Sequence, residues 1–143
     1  MKLRIQTDYA LRTLILLGSE SRKMTAAEIA DAFLISKDHL VKVIQQLSRL
    51  GYVRALPGRN GGVLLAQEPS QILVREVIKA MEGVPGILAC VNDSLFCPMQ
   101  PGCQLRRVLM KAESAFYDAL GKVSVADLFR GRNKGGVVNL NIE

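Results

Sequence analysis

The chain's 143 residues suffice for one compact domain, or for a small domain with an assembly element. Hydrophobic residues make up 49%, so a core can form without crosslinks, and three cysteines cannot all pair with one another. No apolar run reaches transmembrane length, and Leu14-Ile15-Leu16-Leu17 is too short and charge-flanked for a signal peptide, so no membrane association and a reducing cytoplasm are expected.

The formal charge of +6 is unevenly placed. Residues 1–66 carry ten Lys/Arg against five Asp/Glu; residues 67–143 carry nine against eight. A basic N-terminal half favours a polyanion partner there and a different task for the remainder.

In chain order, residues 7–19 read as a helix. Thr7 is the expected N-cap, Asp8 suits the positive dipole end, and Gly18 is the expected terminator. Leu11, Leu14, Ile15 and Leu17 supply its apolar face. Thr25-Ala-Ala-Glu28 is a capping-box pattern opening a second helix with Ile29, Ala30 and Phe33 apolar. Ser36 caps a third helix through Leu50, with Leu40, Val43, Ile44, Leu47 and Leu50 at helical spacing and Gly51 just past its end. A short helix, a tight turn and a longer helix form a helix-turn-helix pattern. Tyr52–Leu56 and Val63–Ala66 read as strands joined by Pro57-Gly-Arg-Asn-Gly-Gly62, a glycine-rich hairpin tip.

The expected fold is therefore mainly α with a small β-hairpin, a winged helix-turn-helix over residues 1–68. Residues 69–130 follow as a second region. It holds a helix near Val74–Glu82 ended by Gly83, then a cysteine loop. A long amphipathic helix, Gln104–Leu120, carries Leu105, Val108, Leu109, Ala112, Phe116, Ala119 and Leu120 on one side. Helices of this kind outside a small core often pair between subunits. A short helix is expected over Ser124–Arg130, and residues 131–143 read as a flexible tail.

The third helix exposes Ser36, Lys37, Asp38, His39, Lys42, Gln45, Gln46 and Arg49. In a helix-turn-helix its first turns enter the major groove of double-stranded DNA. Lys37 and Lys42 can reach phosphates or guanine edges, and His39 and Gln45 can hydrogen-bond bases or phosphates. Arg59 and Asn60 at the hairpin tip can follow the backbone or enter the minor groove. His39 is the single histidine and stands far in sequence from the cysteines.

Cys90, Cys97 and Cys103 are spaced C-x6-C-x5-C in a turn-rich segment. In a reducing compartment such clustering favours metal or redox chemistry. Thiolates select iron–sulfur clusters, zinc or copper(I). Zinc sites usually show a C-x2–4-C knuckle, which is absent here; longer spacings held open by Pro98 and Pro101 suit a cluster. Cys103 opens the long helix, whose free N–H groups, with Arg106 and Arg107, stabilise thiolate charge. No nucleophile–base pair, phosphate loop or G-x-S-x-G motif is present, so an enzyme is not expected.

Several stretches resemble the NsrR/IscR family of winged-helix iron–sulfur transcription regulators. They are Leu3-Arg-Ile-Gln-Thr-Asp-Tyr-Ala-Leu-Arg12, Ile35-Ser-Lys-Asp-His-Leu-Val-Lys42, Leu50-Gly-Tyr-Val53, Gly58-Arg-Asn-Gly-Gly62, Ile78-Lys-Ala-Met-Glu-Gly83 and the loop ahead of Cys103-Gln-Leu-Arg106. The resemblance covers nearly the whole chain. It implies a homodimer on a partly palindromic DNA operator, with the long helix at the dimer interface and the cluster near it. IscR-like members place a histidine three residues after the third cysteine and hold a two-iron (2Fe–2S) cluster; here that position is Arg106. NsrR-like members hold a four-iron (4Fe–4S) cluster on three cysteines, with an aspartate near the start of the first helix, donated by the other subunit, as fourth ligand. Asp8 stands at the matching position. The resemblance thus implies a repressor that senses nitric oxide through a cluster on Cys90, Cys97, Cys103 and Asp8. The alternatives are the same fold sensing iron supply or redox state, through a cluster or free thiols, and a zinc-binding regulator.

Overall fold

The computed structural model describes residues 2–83, 87, 99 and 102–129. Cys90, Cys97 and the expected tail at 131–143 lie outside the described residues. Helices α1 (Ile5–Glu20), α2 (Ala26–Phe33) and α3 (Lys37–Arg49) come first. Strands β1 (Val53–Leu56) and β2 (Gly62–Leu65) follow, then a 3-10 turn at Pro69–Gln71, α4 (Val74–Glu82), α5 (Gln104–Leu120) and a 3-10 turn at Val125–Leu128.

The start of α1 differs from the expectation. Its N-cap is Arg4, which makes no side-chain cap bond. Thr7 lies inside the first turn, fully buried, and its hydroxyl donates to the Glu82 carboxylate at the end of α4. A tertiary partner 75 residues away has outcompeted the local capping role. The helix also runs through Gly18 to Glu20 and closes on Ser21 in the left-handed region. Gly18 is needed for another reason: a Cβ there would sit 2.6 Å from Phe129 Cε1. The missing side chain lets the aromatic ring lie on the helix.

The capping box at α2 forms as its sequence requires. Glu28 N–H donates to Thr25 Oγ1 at 3.1 Å, and Thr25 N–H donates to Glu28 Oε2 at 2.6 Å. Gly51, just past α3, and Gly83, at the end of α4, both have positive φ, 78° and 82°. These two glycines stop their helices where the chain must turn.

The hairpin pairs antiparallel, with Val53 opposite Leu65 and Leu56 opposite Gly62. Met24, just before α2, bridges to Val63 through two backbone bonds of 3.0 and 2.7 Å. The wing is thereby sewn to the segment leading into the helix-turn-helix.

One core joins these parts. Leu14, Leu17, Ile29, Leu40, Val43 and Leu47 are nearly inaccessible, and so are Ile72, Val77 and Val125 from the second half. Each large side chain so buried contributes about 1.5–3 kcal/mol. Backbone bonds from Val74 N to Val123 O (2.9 Å) and Val125 N to Ile72 O (2.8 Å) return the chain after α5 to the N-terminal body. By contrast α5 has no buried residue, and it leaves Leu105, Val108 and Met110 at 60%, 61% and 44% exposure. Its described contacts with the body include Lys79 Nζ, 5.0 Å from the Tyr117 ring centroid. No helix among the described residues is long and apolar enough to cross a membrane.

Candidate functional site

Helix α3 divides cleanly into two faces. Leu40, Val43, Ile44 and Leu47 turn into the core, so the helix is held against α1, α2 and β1. Ser36, Lys37, Asp38, His39, Lys42, Gln45 and Arg49 are exposed on the remaining face. The buried stripe fixes the orientation, and the polar face follows from it. Ser36 occupies the N-cap with extended backbone, yet its hydroxyl makes no cap bond. The first N–H groups of α3 thus keep their capacity to meet an anion.

The turn ahead of α3 is unusual. Leu34 closes α2 with φ of 54° and is 94% exposed. A left-handed leucine costs about 1–2 kcal/mol relative to glycine. It is held there by its own N–H, which donates to Asp31 O at 3.3 Å, and by Ile35 N–H, which donates to Ala30 O at 3.0 Å.

Arg59 and Asn60 are exposed at the wing tip. Gly61 N–H donates to Gly58 O at 2.9 Å to close the tip. A Cβ on Gly61 would meet Leu56 O at 2.3 Å, so the turn accepts no larger residue without shifting. Lys23, from the segment before α2, donates from its Nζ to Asn60 O. Nothing in the sequence pattern marks this lysine; a hairpin tip and a residue 37 positions earlier meet only through the Met24–Val63 bridge.

Of the four residues expected to hold a cofactor, two are described. Cys103 stands at the N-cap of α5, half-exposed, with no side-chain cap bond. The first turn of α5 carries no acidic residue and holds Arg106 and Arg107. Cys103 thus stands at the positive end of a helix whose first turn is basic. The donor chemistry at Cys103 therefore fits an anionic iron–sulfur group. Asp8 lies in the first turn of α1, half-exposed, and accepts from Arg12 Nε at 2.9 Å. The i, i+4 spacing of Asp8 and Arg12 is the signal that would have revealed this pair. Arg12 in turn lies 5.9 Å from the Phe33 ring centroid at the end of α2. Residue 7, beside Asp8, is bonded to Glu82, and the cysteine segment follows directly after Gly83. The start of α1 and the exit from α4 are thus held together.

Tyr52 and Tyr117 are shifted in the same direction. Burial, with Glu113 and Glu82 nearby, raises the Tyr117 phenol above its usual value. Burial, with Glu76 nearby, does the same for Tyr52. Both stay protonated, and neither acts as a base near neutrality.

Residues 3–131 match the model of the Rrf2 family, described as iron-dependent transcriptional regulators. The chain belongs to the Rrf2 family. As a member it is a DNA-binding transcriptional regulator and not an enzyme. It is 40% identical over 136 residues to the HTH-type transcriptional regulator NsrR of Bacillus licheniformis, covering 93% of this chain and 95% of that one. Its fold is similar to that of CymR (YrzC), the global cysteine regulator of B. subtilis, with a TM-score of 0.75, 20% identity, and 93% and 99% of the two chains covered. It is also similar to T. potens IscR, with a TM-score of 0.73, 21% identity, and 91% and 87% covered. These Rrf2 structures share the mainly helical winged architecture expected from the sequence.

Proposed function

We propose that this Rrf2-family chain is a cytoplasmic homodimeric repressor that senses nitric oxide through an iron–sulfur cluster. The cluster is of the 4Fe–4S type, with Cys90, Cys97 and Cys103 as ligands in one protomer and Asp8 of the other as the fourth. The observation that carries this reading is the 40% identity to NsrR across nearly the full length. The absence of a histidine at position 106 supports a four-iron over a two-iron group. The exposed Leu105, Val108 and Met110 on α5 support a helix that pairs with a second copy.

DNA binding runs through α3 and the wing. Ser36, Lys37, Asp38, His39, Lys42 and Gln45 face a major groove, and Arg59 and Asn60 meet the adjoining backbone. Two copies place two such helices on half-sites about one duplex turn apart, so a partly palindromic operator is read.

When bound, the cluster supplies iron that nitric oxide attacks. The protein's part is to make DNA binding depend on that site. Asp8 sits on the helix that packs against α3, and its carboxylate has two claimants, Arg12 and the proposed metal site. Were Asp8 to help hold that group, it would tie one protomer's α1 to its partner's cysteine segment, and pairing with Arg12 instead would undo that tie. The spacing between the reading helices is then no longer fixed, and operator affinity falls.

The test is an anaerobic absorption spectrum of the freshly purified protein. Nitric oxide is then titrated in while binding to a promoter fragment is followed. A visible cluster band that bleaches as DNA is released, and that Cys97→Ala abolishes, is the expected result. A protein still colourless after supply of iron and sulfide overturns the cluster reading and leaves the DNA-binding reading standing.

A further inference from the structure

We propose that Lys23 is a positioning residue for the wing, holding Arg59 and Asn60 in register with the reading helix. This role rests on the DNA-binding reading above and deepens it. The wing tip is built from glycines that fix its path but give it few contacts. Gly58 and Gly62 have φ of 98° and 149°, and residues 57–60 are exposed. Strand β2 is secured at Val63, opposite Ala55, by the Met24–Val63 backbone bonds, but residues 57–61 lie beyond that bridge.

Lys23 reaches the tip from outside the hairpin. Its ammonium donates to Asn60 O. Its stem lies across Gly62, where a Cβ would stand 2.7 Å from Lys23 Cγ and 3.2 Å from Cδ. The Asn60 carbonyl is therefore held toward the helix-turn-helix body, which fixes the Asn60–Gly61 peptide plane beside both candidate DNA contacts. The backbone of Lys23 is itself steadied. Its carbonyl accepts from Arg22 Nη1 at 3.1 Å, and that same Arg22 nitrogen reaches Glu28 Oε1 at 3.1 Å in the α2 capping box. A chain of contacts thus runs from the start of α2 to the wing tip. One of the ammonium's three donors is on the Asn60 carbonyl, and the proposed effect on DNA runs through the residues that this bond places.

The experiment is a double-mutant cycle of Lys23→Met and Arg59→Ala in the full chain. Methionine keeps an apolar stem over Gly62 and removes only the ammonium. The probe is a duplex enriched by binding from a random-sequence pool about three helical turns long. Affinity is measured across a salt series, with melting midpoints confirming that each variant is folded. Each single variant is expected to weaken binding about three- to tenfold and to lower the slope of log affinity against log salt by about one. The double variant is expected to be little worse than either single, with the slope still lowered by about one. A double variant with additive losses and a slope lowered by about two makes Lys23 a direct phosphate contact and overturns the positioning role. A silent Lys23→Met beside an active Arg59→Ala overturns it as well. A silent Arg59→Ala overturns it differently, because the wing itself is then outside the interface and the DNA-binding reading narrows to α3.

Discussion

Thr7 and Glu82 join the first turn of α1 to the last turn of α4: the buried threonine hydroxyl donates to the glutamate carboxylate, which also accepts from Arg4 N–H at 2.9 Å. One acidic side chain satisfies two groups at a helix start, and it lies one residue before the chain leaves α4. Thr7→Val removes a donor without opening space and is expected to cost about 1 kcal/mol. Glu82→Ala strands the Thr7 hydroxyl in the interior and is expected to cost more, about 2–3 kcal/mol. Urea denaturation midpoints at constant slope check the order; equal costs for the two variants would show that Thr7 finds another acceptor.

Gly18 and Phe129 give a second prediction. Alanine is normally the better helix residue by about 1 kcal/mol. Here its Cβ would stand 2.6 Å from Phe129 Cε1. Gly18→Ala is therefore expected to destabilise by about 1–3 kcal/mol in spite of helix propensity. Combined with Phe129→Leu, much of that loss should disappear, because the ring that collides is gone. A thermal-melt comparison of the four variants decides it, and a stabilised Gly18→Ala single variant would mean the ring does not rest on α1.

Both of those residues show where the sequence was legible and where it was not. Most signals satisfied within a few residues are legible, although Ser36 makes no cap bond and Leu50, at the end of the α3 stripe, is exposed. The Thr25–Glu28 box opens α2, Gly51 and Gly83 end their helices, and the stripe from Leu40 to Leu47 is buried as its spacing requires. Thr7 and Gly18 depart from the local expectation because each answers a distant residue, Glu82 or Phe129, that local pattern does not contain. The same division holds at the site. The polar face of α3 is legible because burying its opposite face leaves one orientation. Lys23 was invisible, since its partner Asn60 becomes a neighbour only after the Met24 bridge forms. Cys103 and its two arginines were legible from their place at a helix start; Cys90 and Cys97 lie outside the described residues.

The capping box carries a pH signature. Backbone and hydroxyl bonds from Thr25, aided by Arg22, hold the Glu28 carboxyl below its usual value. A group whose folded value is depressed contributes stability that is present above its unfolded value and lost as pH falls through the folded one. Glu28→Gln is therefore expected to be less stable than the parent near neutrality and to approach it as pH drops below the ordinary glutamate range. Melting midpoints measured from neutral pH down to about 3 test this, since the ordinary carboxylate value lies near 4. A constant offset between the two proteins at every pH would remove the charged box from the account.

On the reading face, Lys42 is exposed and sits one turn into α3. Lys42→Ala should weaken binding to a promoter duplex about tenfold and lower the salt slope by about one, as loss of one phosphate contact requires. Folding stability should stay within about 0.5 kcal/mol of the parent, the usual range for exposed positions. Fluorescence anisotropy across a salt series makes the measurement. Unchanged affinity and slope would place the DNA on another face of the helix.

Leu34 offers the opposite kind of test, a substitution expected to stabilise. Its backbone has φ of 54° and its side chain is 94% exposed, so the fold bears a left-handed strain without burying the leucine in return. Leu34→Gly relieves about 1–2 kcal/mol of that strain, offset in part by the greater freedom glycine gives the unfolded chain. A net gain of about 0.5–1 kcal/mol is expected, read from urea midpoints. Asparagine, which tolerates the left-handed region better than leucine, should give a smaller gain at the same site. A loss of stability in both variants would mean that the Leu34 side chain makes a stabilising contact, with a second copy or within its own chain. Repeating the denaturation over a range of protein concentrations would then separate a contact with a second copy from a local cause, because only the former makes the loss depend on concentration.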